Sequence, residues 1–342
     1  MYTIRYFSIS DIADIEKDWR LLEIGPSMTY FQMYDWYQSI LPSIPKDCKR
    51  YESRIVALYN DGIIKVIAPV FIIKQTFKFI NRKGVYLLGH GGWSDYLNFI
   101  YNNEITKDDI LFILEDIKNQ YGCHDFFFDE LPENTLLYST ILDTLCVRSN
   151  EITTCVELKL PENEDIYLKS LSKNSRQNLR TSINRINKAG LTLSFVFDDR
   201  NADKVLCEEL RKQSLLRKRG DHNLLQWLKI RIISPLRFCF HFGIPIYADI
   251  NSHLMTVYIN NELAAFFNYG YDRTHKRIVL MAAGTSDKYA WYSPGILLLY
   301  EFIKHEIIVH EIEVVDYTRG NEKYKYSLGG KEHFNPRIIF SF

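Results

Sequence analysis

Residues 277–318 read RIVLMAAGTSDKYAWYSPGILLLYEFIKHEIIVHEIEVVDYT. RIVLMAAG (277–284) has the composition of a strand, SPGILLLYEFIKHEIIVH (293–310) that of a strong helix, and EIEVVDYT (311–318) that of another strand. The helix start is marked chemically. Ser293 suits an N-cap, Pro294 suits the first helical position, and Gly295 lets backbone approach a ligand closely. Free amides and the positive end of a helix dipole at such a start suit a pyrophosphate. The same three residues equally begin an ordinary buried helix. Asp316 falls at the end of an apolar strand, where sheet proteins commonly present working side chains beside a helix N-terminus.

Upstream, MTVYIN and LAAFFNYGYD (255–272) predict two strands meeting at Asn261-Glu262. Helical patterns cover Asp165 to Ala189 and Ala202 to Arg219, and LLQWLKIRIISPLRFCFHFG continues helix to Gly243. Downstream, NEKYKYSLGG (321–330) reads as a turn or short helix. The first 160 residues follow the same order. A helix-like region around Trp19 and Leu22 precedes Tyr30, Phe31, Tyr34, Trp36 and Tyr37, whose spacing makes one apolar helix face. Arg54 to Asn60 and Ile63 to Lys74 are β-rich runs joined by Asp61-Gly62, a strong hairpin signal. GVYLLG (84–89), the helix-like DDILFILEDIKNQYG (108–122) ending at a C′ glycine, and FFFDELP (126–132) complete the set. Two copies of one α+β unit are therefore expected, over 1–160 and 161–342, joined near Pro161 without a low-complexity linker.

Composition narrows the function. With 46% hydrophobic and 25% charged residues the chain is an ordinary folded protein. Forty-two basic side chains balance 42 acidic ones, which disfavours coating of a polyanion and makes any anion site local. The six cysteines are scattered, so no metal site is expected. No run reaches the roughly 18 apolar residues a bilayer span needs, and MYTIRYFSISDIADIE lacks a charged leader followed by an apolar stretch, so a cytoplasmic protein is expected. There is no G-x-S-x-G elbow, H-E-x-x-H, P-loop or G-x-G-x-x-G, which removes hydrolase, zinc, nucleotide-hydrolysing and dinucleotide readings.

Tyr292-Ser293-Pro294-Gly295-Ile296-Leu297-Leu298, followed by Asp316-Tyr317-Thr318-Arg319-Gly320-Asn321-Glu322-Lys323-Tyr324-Lys325, resembles the SPG-x-L-L and D-x-x-x-G-x-E-x-Y-K elements of the tandem GNAT acyltransferases, the branch with Fem-type and CelD-like proteins. Leu171 to Arg180 is similar to the basic helix opening the second unit of that family, and Trp19, Phe31, Trp36, Leu88-Gly89 and Ser94-Asp95-Tyr96 match its first unit. The usual coenzyme A loop of GNAT proteins is represented only by Gly295. The resemblance implies two tandem GNAT-like units, each a mixed, mostly antiparallel sheet flanked by helices. It implies an acyl donor, acyl-CoA and specifically acetyl-CoA, held by Ser293, Gly295, Ile296 and Leu297 in the second unit, and direct transfer without a covalent enzyme intermediate.

A carboxylate at Asp316 can take a proton from an attacking amine if its pKa is raised, and Glu322 could do the same work. Tyr324 could protonate a leaving thiolate, while Lys325 and Arg319 could meet a phosphate or oxyanion. In the bland alternative Asp316 caps the following turn and Glu322 pairs with Arg319. At 100° per residue Lys173, Arg176 and Arg180 share an arc of about 60°, suited to an acceptor phosphate or simply to solvent. Trp93, Asp95 and Tyr96, after Gly91-Gly92 and beside His90, could contact a sugar, or form a plain glycine-rich turn. The expected reaction is transfer of an acyl group to an amine of a nucleotide- or lipid-linked amino sugar in envelope polysaccharide synthesis. A transferase using aminoacyl-tRNA and a non-catalytic scaffold are the alternatives, and nucleic acid is expected as a partner only in the first of these.

Overall fold

Two turns with positive φ fold the main hairpins. The computed structural model describes residues 1–25, 28–44, 46–74, 83–89, 94–220 and 252–342, with backbone only at 43, 215–220 and 252. The helix expected over 224–243 and the His90 to Trp93 part of the loop lie outside the described residues. Asp61 (φ 50°) and Gly62 (φ 78°) join β2 (Tyr51–Asn60) to β3 (Ile63–Ile73) as expected. The second hairpin turns at Asn260 and Asn261, both with positive φ, rather than at Asn261-Glu262. Asparagine tolerates the left-handed region, so Glu262 is free to open the following strand.

By contacts the chain divides into two compact units. The described part of the first is Met1–Thr153 with Phe334–Phe342, and that of the second is 154–220 with 252–333. In the first unit the sheet order is β1 (Tyr2–Ser8), β2, β3, β4 (Gly84–Leu87), β6 (Asp125–Phe128) and then the final strand β13 (Lys331–Ser341), with the short β5 (Ile100–Tyr101) on β3. The β4–β6 pair is parallel, at Val85↔Phe126. The second unit runs β8 (Leu193–Phe197), β9 (Ser252–Ile259), β10 (Glu262–Asp272), β11 (Arg277–Thr285), β12 (Val314–Arg319) and the end of β7 (Cys146–Lys159). Its β11–β12 pair is again parallel, from Arg277↔Val314 to Val279↔Asp316. The two units therefore share one topology: four strands antiparallel, a parallel join across a helix, and an antiparallel last strand.

That last strand is where the expected division at 160/161 departs from the contacts. β7 follows the first half of the sequence, yet Glu157, Leu158 and Lys159 pair with β12 in the second unit. β13 ends the second half, yet Ile338 to Ser341 pair with β6 in the first. The two copies exchange terminal strands.

Helices cover both faces of each sheet. In the first unit α1 (Glu16–Leu22) and α2 (Tyr34–Ile40) carry buried Trp19, Tyr34, Trp36 and Tyr37, while α3 (Lys107–Tyr121) and α4 (Leu136–Thr144) bury Ile110, Ile113, Leu114 and Leu137. Gly122 ends α3 at φ 57°, the expected left-handed cap. In the second unit the single helix expected over 165–189 is two, α5 (Glu164–Ser170) and α6 (Lys173–Lys188). Leu171 is extended, and Ser172 accepts from the Ser175 amide as a new N-cap. α7 (Lys204–Gly220) lies on one face over Phe266, Leu254 and Leu263. α8 (Pro294–Val309) lies on the other, burying Leu297, Leu298, Leu299, Phe302, Ile303 and Ile307. Each such side chain stabilises the fold by roughly 1.5–3 kcal/mol relative to exposure.

Candidate active site

β11 and β12 separate where the helix between them begins. Their ladder stops at Val279↔Asp316. One residue on, β11 carries a bulge: Leu280 opposes Tyr269 and Ala282 opposes Asn268, so Met281 is the extra residue. Ile278 to Leu280 are buried, while Met281, Ala282 and Ala283 are partly or fully exposed. On β12, Thr318 adopts φ 58°, and its hydroxyl donates to the Leu280 carbonyl at 3.1 Å. Two parallel strands thus part just below a helix N-terminus, the place where open α/β sheets bind ligands.

The start of α8 is built differently from the expectation. Ser293 is left-handed (φ 53°), and its side chain makes no capping bond. Its carbonyl accepts from the Ile296 and Leu297 amides instead, at 3.1 and 3.2 Å. Gly295 keeps its amide in the first turn, and a Cβ there would sit 3.2 Å from Thr285 Oγ1 and 3.8 Å from Phe267. It therefore lets the helix start press against β10 and β11. Leu297 is 1% exposed within the core, so it supports this end from beneath and cannot contact a donor; Ile296 is partly buried.

The first unit's equivalent helix end is closed to anions. Thr106 and Asp109 form a capping box at α3, and Asp108 and Asp109 place two carboxylates in its first turn. The first turn of α8 has no acidic residue. Of the two crossover helices, α8 is the one whose charge suits a phosphate.

The Asp316 to Lys325 segment is knotted onto itself. Asp316 is 0% exposed. Its Oδ1 accepts from the Thr318 amide at 2.7 Å and its Oδ2 pairs with Arg277 Nη1 at 2.8 Å. Lys325, 2% exposed, donates to the carbonyls of Thr318, Arg319 and Gly320 and pairs with Glu322 Oε2 at 3.0 Å. Gly320, at φ 106°, lets the loop pass Glu322, and its amide donates to the Thr154 carbonyl. Two expectations are corrected. Lys325 is committed to the loop's carbonyls and is not placed to meet a phosphate, and Asp316 is a buried carboxylate paired with Arg277 rather than an open base. Glu322 pairs with Lys325, while Arg319 lies exposed at the strand end. Burial, with the Glu322 charge second, pushes the Tyr324 phenol well above its ordinary value, so Tyr324 keeps its proton.

Arg277, Glu157 and His333 are residues the sequence reading missed. Arg277 Nη1 bridges Asp316 and Glu157, at 2.8 and 3.0 Å. A ring nitrogen of His333 lies within 4.8 Å of a carboxylate oxygen of each. The alternation of β7, β11 and β12 puts Leu158, Ile278, Leu280, Val315 and Tyr317 in the α8 core, so Glu157, Arg277 and Asp316 face the other side of the sheet. The three ligand-type side chains would suit a cation, but the guanidinium already supplies the positive charge. The cluster is an ion-pair network with an imidazole at its edge. Only the topology joins these strands, so no local motif could have revealed it.

Arg176 is also corrected. Its Nη1 donates to the carbonyls of Leu168, Lys169 and Leu171, capping α5. Lys173 and Arg180 remain exposed. The cation beside the α8 start is Arg185, whose Nη1 donates to the Trp291 carbonyl at 3.1 Å. Lys173 is twelve residues from it, about 18 Å along the helix. In the first unit Tyr96 is buried against Phe31 at φ 56°, and Ser94 accepts from Trp36 Nε1 at 2.8 Å, so the expected sugar loop is stitched into an aromatic core there. Asp95 is half-buried.

The sequence profile described as Acetyltransferase (GNAT) domain matches residues 246–326, the segment carrying the bulge, the α8 start and Asp316. Fold and profile together define the class: a tandem GNAT-like fold whose residues 246–326 match a GNAT acetyltransferase domain, which supports an N-acyltransferase. Among solved structures the chain is similar to FemX, with 10% identity, coverage of 99% of this chain and 97% of that one, and a TM-score of 0.61. It is also similar to a C-terminal domain assigned to a lysylphosphatidylglycerol synthetase from Agrobacterium fabrum (11% identity, 96% and 92% covered, TM-score 0.55). A tandem GNAT protein from the clavulanic acid biosynthesis pathway is a third (8%, 100% and 98%, 0.50). At these identities the likeness is one of fold. No curated protein sequence matches the chain. Among the described residues no helix is long and apolar enough to cross a membrane.

Proposed function

We propose that the protein transfers an acyl group from an acyl-CoA, acetyl-CoA first among them, to the amine of an amino sugar in a cell-envelope polysaccharide precursor, in the cytoplasm. The observation that carries the donor half is the parting of β11 and β12 at the Met281 bulge, directly below a helix start free of acidic residues. The thioester would lie in that gap with its phosphates toward Gly295. The amine would approach from the sheet face opposite α8, attack the thioester carbon, form the C–N bond and expel the thiolate. The proton lost by nitrogen goes to His333, and the thiolate takes one from water. Asp316 and Glu157 act as positioning residues, holding Arg277 and the imidazole in place. Imidazole is the side chain best suited to exchange a proton near neutral pH.

For the acceptor, Lys173 and Arg180, both exposed on α6, would meet a precursor phosphate. The likeness to FemX supports a second reading in which the donor is an aminoacyl-tRNA. The test is acetyl transfer from acetyl-CoA to a panel of amino sugars and their nucleotide-linked forms, with wild type and His333→Gln. Transfer by wild type, with kcat lowered about 10²-fold in a normally folded variant, supports the reading. Transfer unchanged in the variant removes His333 from it, and absence of transfer from acetyl-CoA to every acceptor rejects the donor.

A further inference from the structure

At 67% exposure, Trp291 is the most exposed aromatic side chain among the described residues. It belongs to the 3₁₀ turn Asp287–Tyr292, which leads directly into the left-handed Ser293 and α8. Arg185 of α6 lays its guanidinium 3.8 Å from the centre of the indole ring and donates to the same residue's carbonyl. The turn is fastened from below as well. Tyr289 is buried, its hydroxyl donates to Glu262 at 2.9 Å, and Lys288 pairs with that carboxylate. The indole is consequently a rigid plane, with a cation against one face and the other face to solvent. Such a plane loses little entropy on binding.

We infer that Trp291 and Arg185 form a subsite for the adenosine part of the acyl donor, with the purine stacked on the open indole face and Arg185 serving an adjacent phosphate. The inference rests on the donor placement proposed above. Trp291 lies two residues before Ser293, so its Cα is at most about 7 Å from the helix start assigned to the phosphates. A nucleoside attached to those phosphates can reach it. Stacking needs only a flat π-face, which a purine offers, and the guanidinium beside the ring supplies a positive charge for the phosphate attached to it. Adenosine of this kind occurs in coenzyme A and at the 3′ end of an aminoacyl-tRNA, and the shared chemistry leaves both sources open.

The experiment compares wild type with Trp291→Ala, Trp291→Phe and Arg185→Gln, whose melting temperatures first establish folding. Acetyl transfer is measured from acetyl-CoA and from S-acetyl-pantetheine, which lacks the nucleotide. Calorimetry follows binding of adenosine 3′,5′-bisphosphate and of an aminoacylated CCA-ended minihelix. Trp291→Ala is expected to raise KM for acetyl-CoA about tenfold or more, leaving kcat and the S-acetyl-pantetheine reaction unchanged, while Trp291→Phe retains most of the affinity. Arg185→Gln should weaken the bisphosphate. Loss of minihelix binding in place of the acetyl-CoA effect assigns the same subsite to the tRNA end. Wild-type KM for acetyl-CoA in a folded Trp291→Ala variant, with unchanged minihelix binding, overturns the subsite while leaving the acyltransferase reading intact. A wild type that neither binds nor uses either donor overturns both. Equal loss with acetyl-CoA and S-acetyl-pantetheine also overturns it, since the indole would then act on something other than adenosine.

Discussion

Lys325 and Asp316 show how a spacing that reads as catalytic can be a structural knot. Asp316 lies two residues before Thr318, whose left-handed backbone offers its amide to the carboxylate, and Lys325 reaches back to three consecutive carbonyls. The D-x-x-x-G-x-E-x-x-K pattern thus ties a strand end to a short helix, α9 (Lys323–Ser327), and the residue types were legible but their work was not. Replacing Asp316 with asparagine removes the buried carboxylate that pairs with Arg277, and should lower unfolding stability by about 3 kcal/mol in chemical denaturation. Stability within a few tenths of wild type would return Asp316 to the role of open base. Glu306 is a second buried carboxylate. Burial raises its pKa from 4.5, partly offset by His305 and Tyr271. Its protonated form is favoured by folding, so the stability it contributes is full below 4.5 and is lost as pH rises through the raised value. Glu306→Gln should therefore melt higher than wild type at pH 8 and alike at pH 4. A lower melting temperature at pH 8 would contradict this.

At the scale of elements, patterning foretold most of the second unit because α8 and the 255–285 strands have strong periodicities of their own. It failed where a short side chain redirected the backbone. Ser172 cut one expected helix into two, and Asn260 moved a turn by one residue. Neither the Met281 bulge nor the parting of β11 from β12 has a compositional signal, since both depend on which strand lies alongside. Gly284 marks another such contact. A Cβ there would lie 2.7 and 2.8 Å from the α7 backbone at Arg211 and Leu210, and 2.5 Å from Phe266. Gly284→Ala should push α7 from the sheet and cost about 3 kcal/mol, read as a fall in denaturation midpoint together with faster amide exchange in 204–214. A variant of unchanged midpoint would show that α7 packs there more loosely.

For the whole molecule, the repeat was legible and the strand exchange was not, because β7 and β13 each continue naturally from their own half. A chain ending at His333 would lose Ile338 and Phe340 from the first unit's core, where Phe340 stacks on Phe126 at 5.0 Å. Exchange of the β6 amides should quicken by orders of magnitude on that truncation. Unaltered protection of Asp125–Phe128 would refute the exchange. The central claim, that the second unit alone holds an acyl donor at the parted strands, is tested most directly by amide hydrogen exchange with and without acetyl-CoA. Slowed exchange confined to residues 281–297 and 316–320, with no change over 84–89 or 106–110, is the expected result. Protection at the α3 start, or no protection in 281–297 at saturating acetyl-CoA, would contradict it.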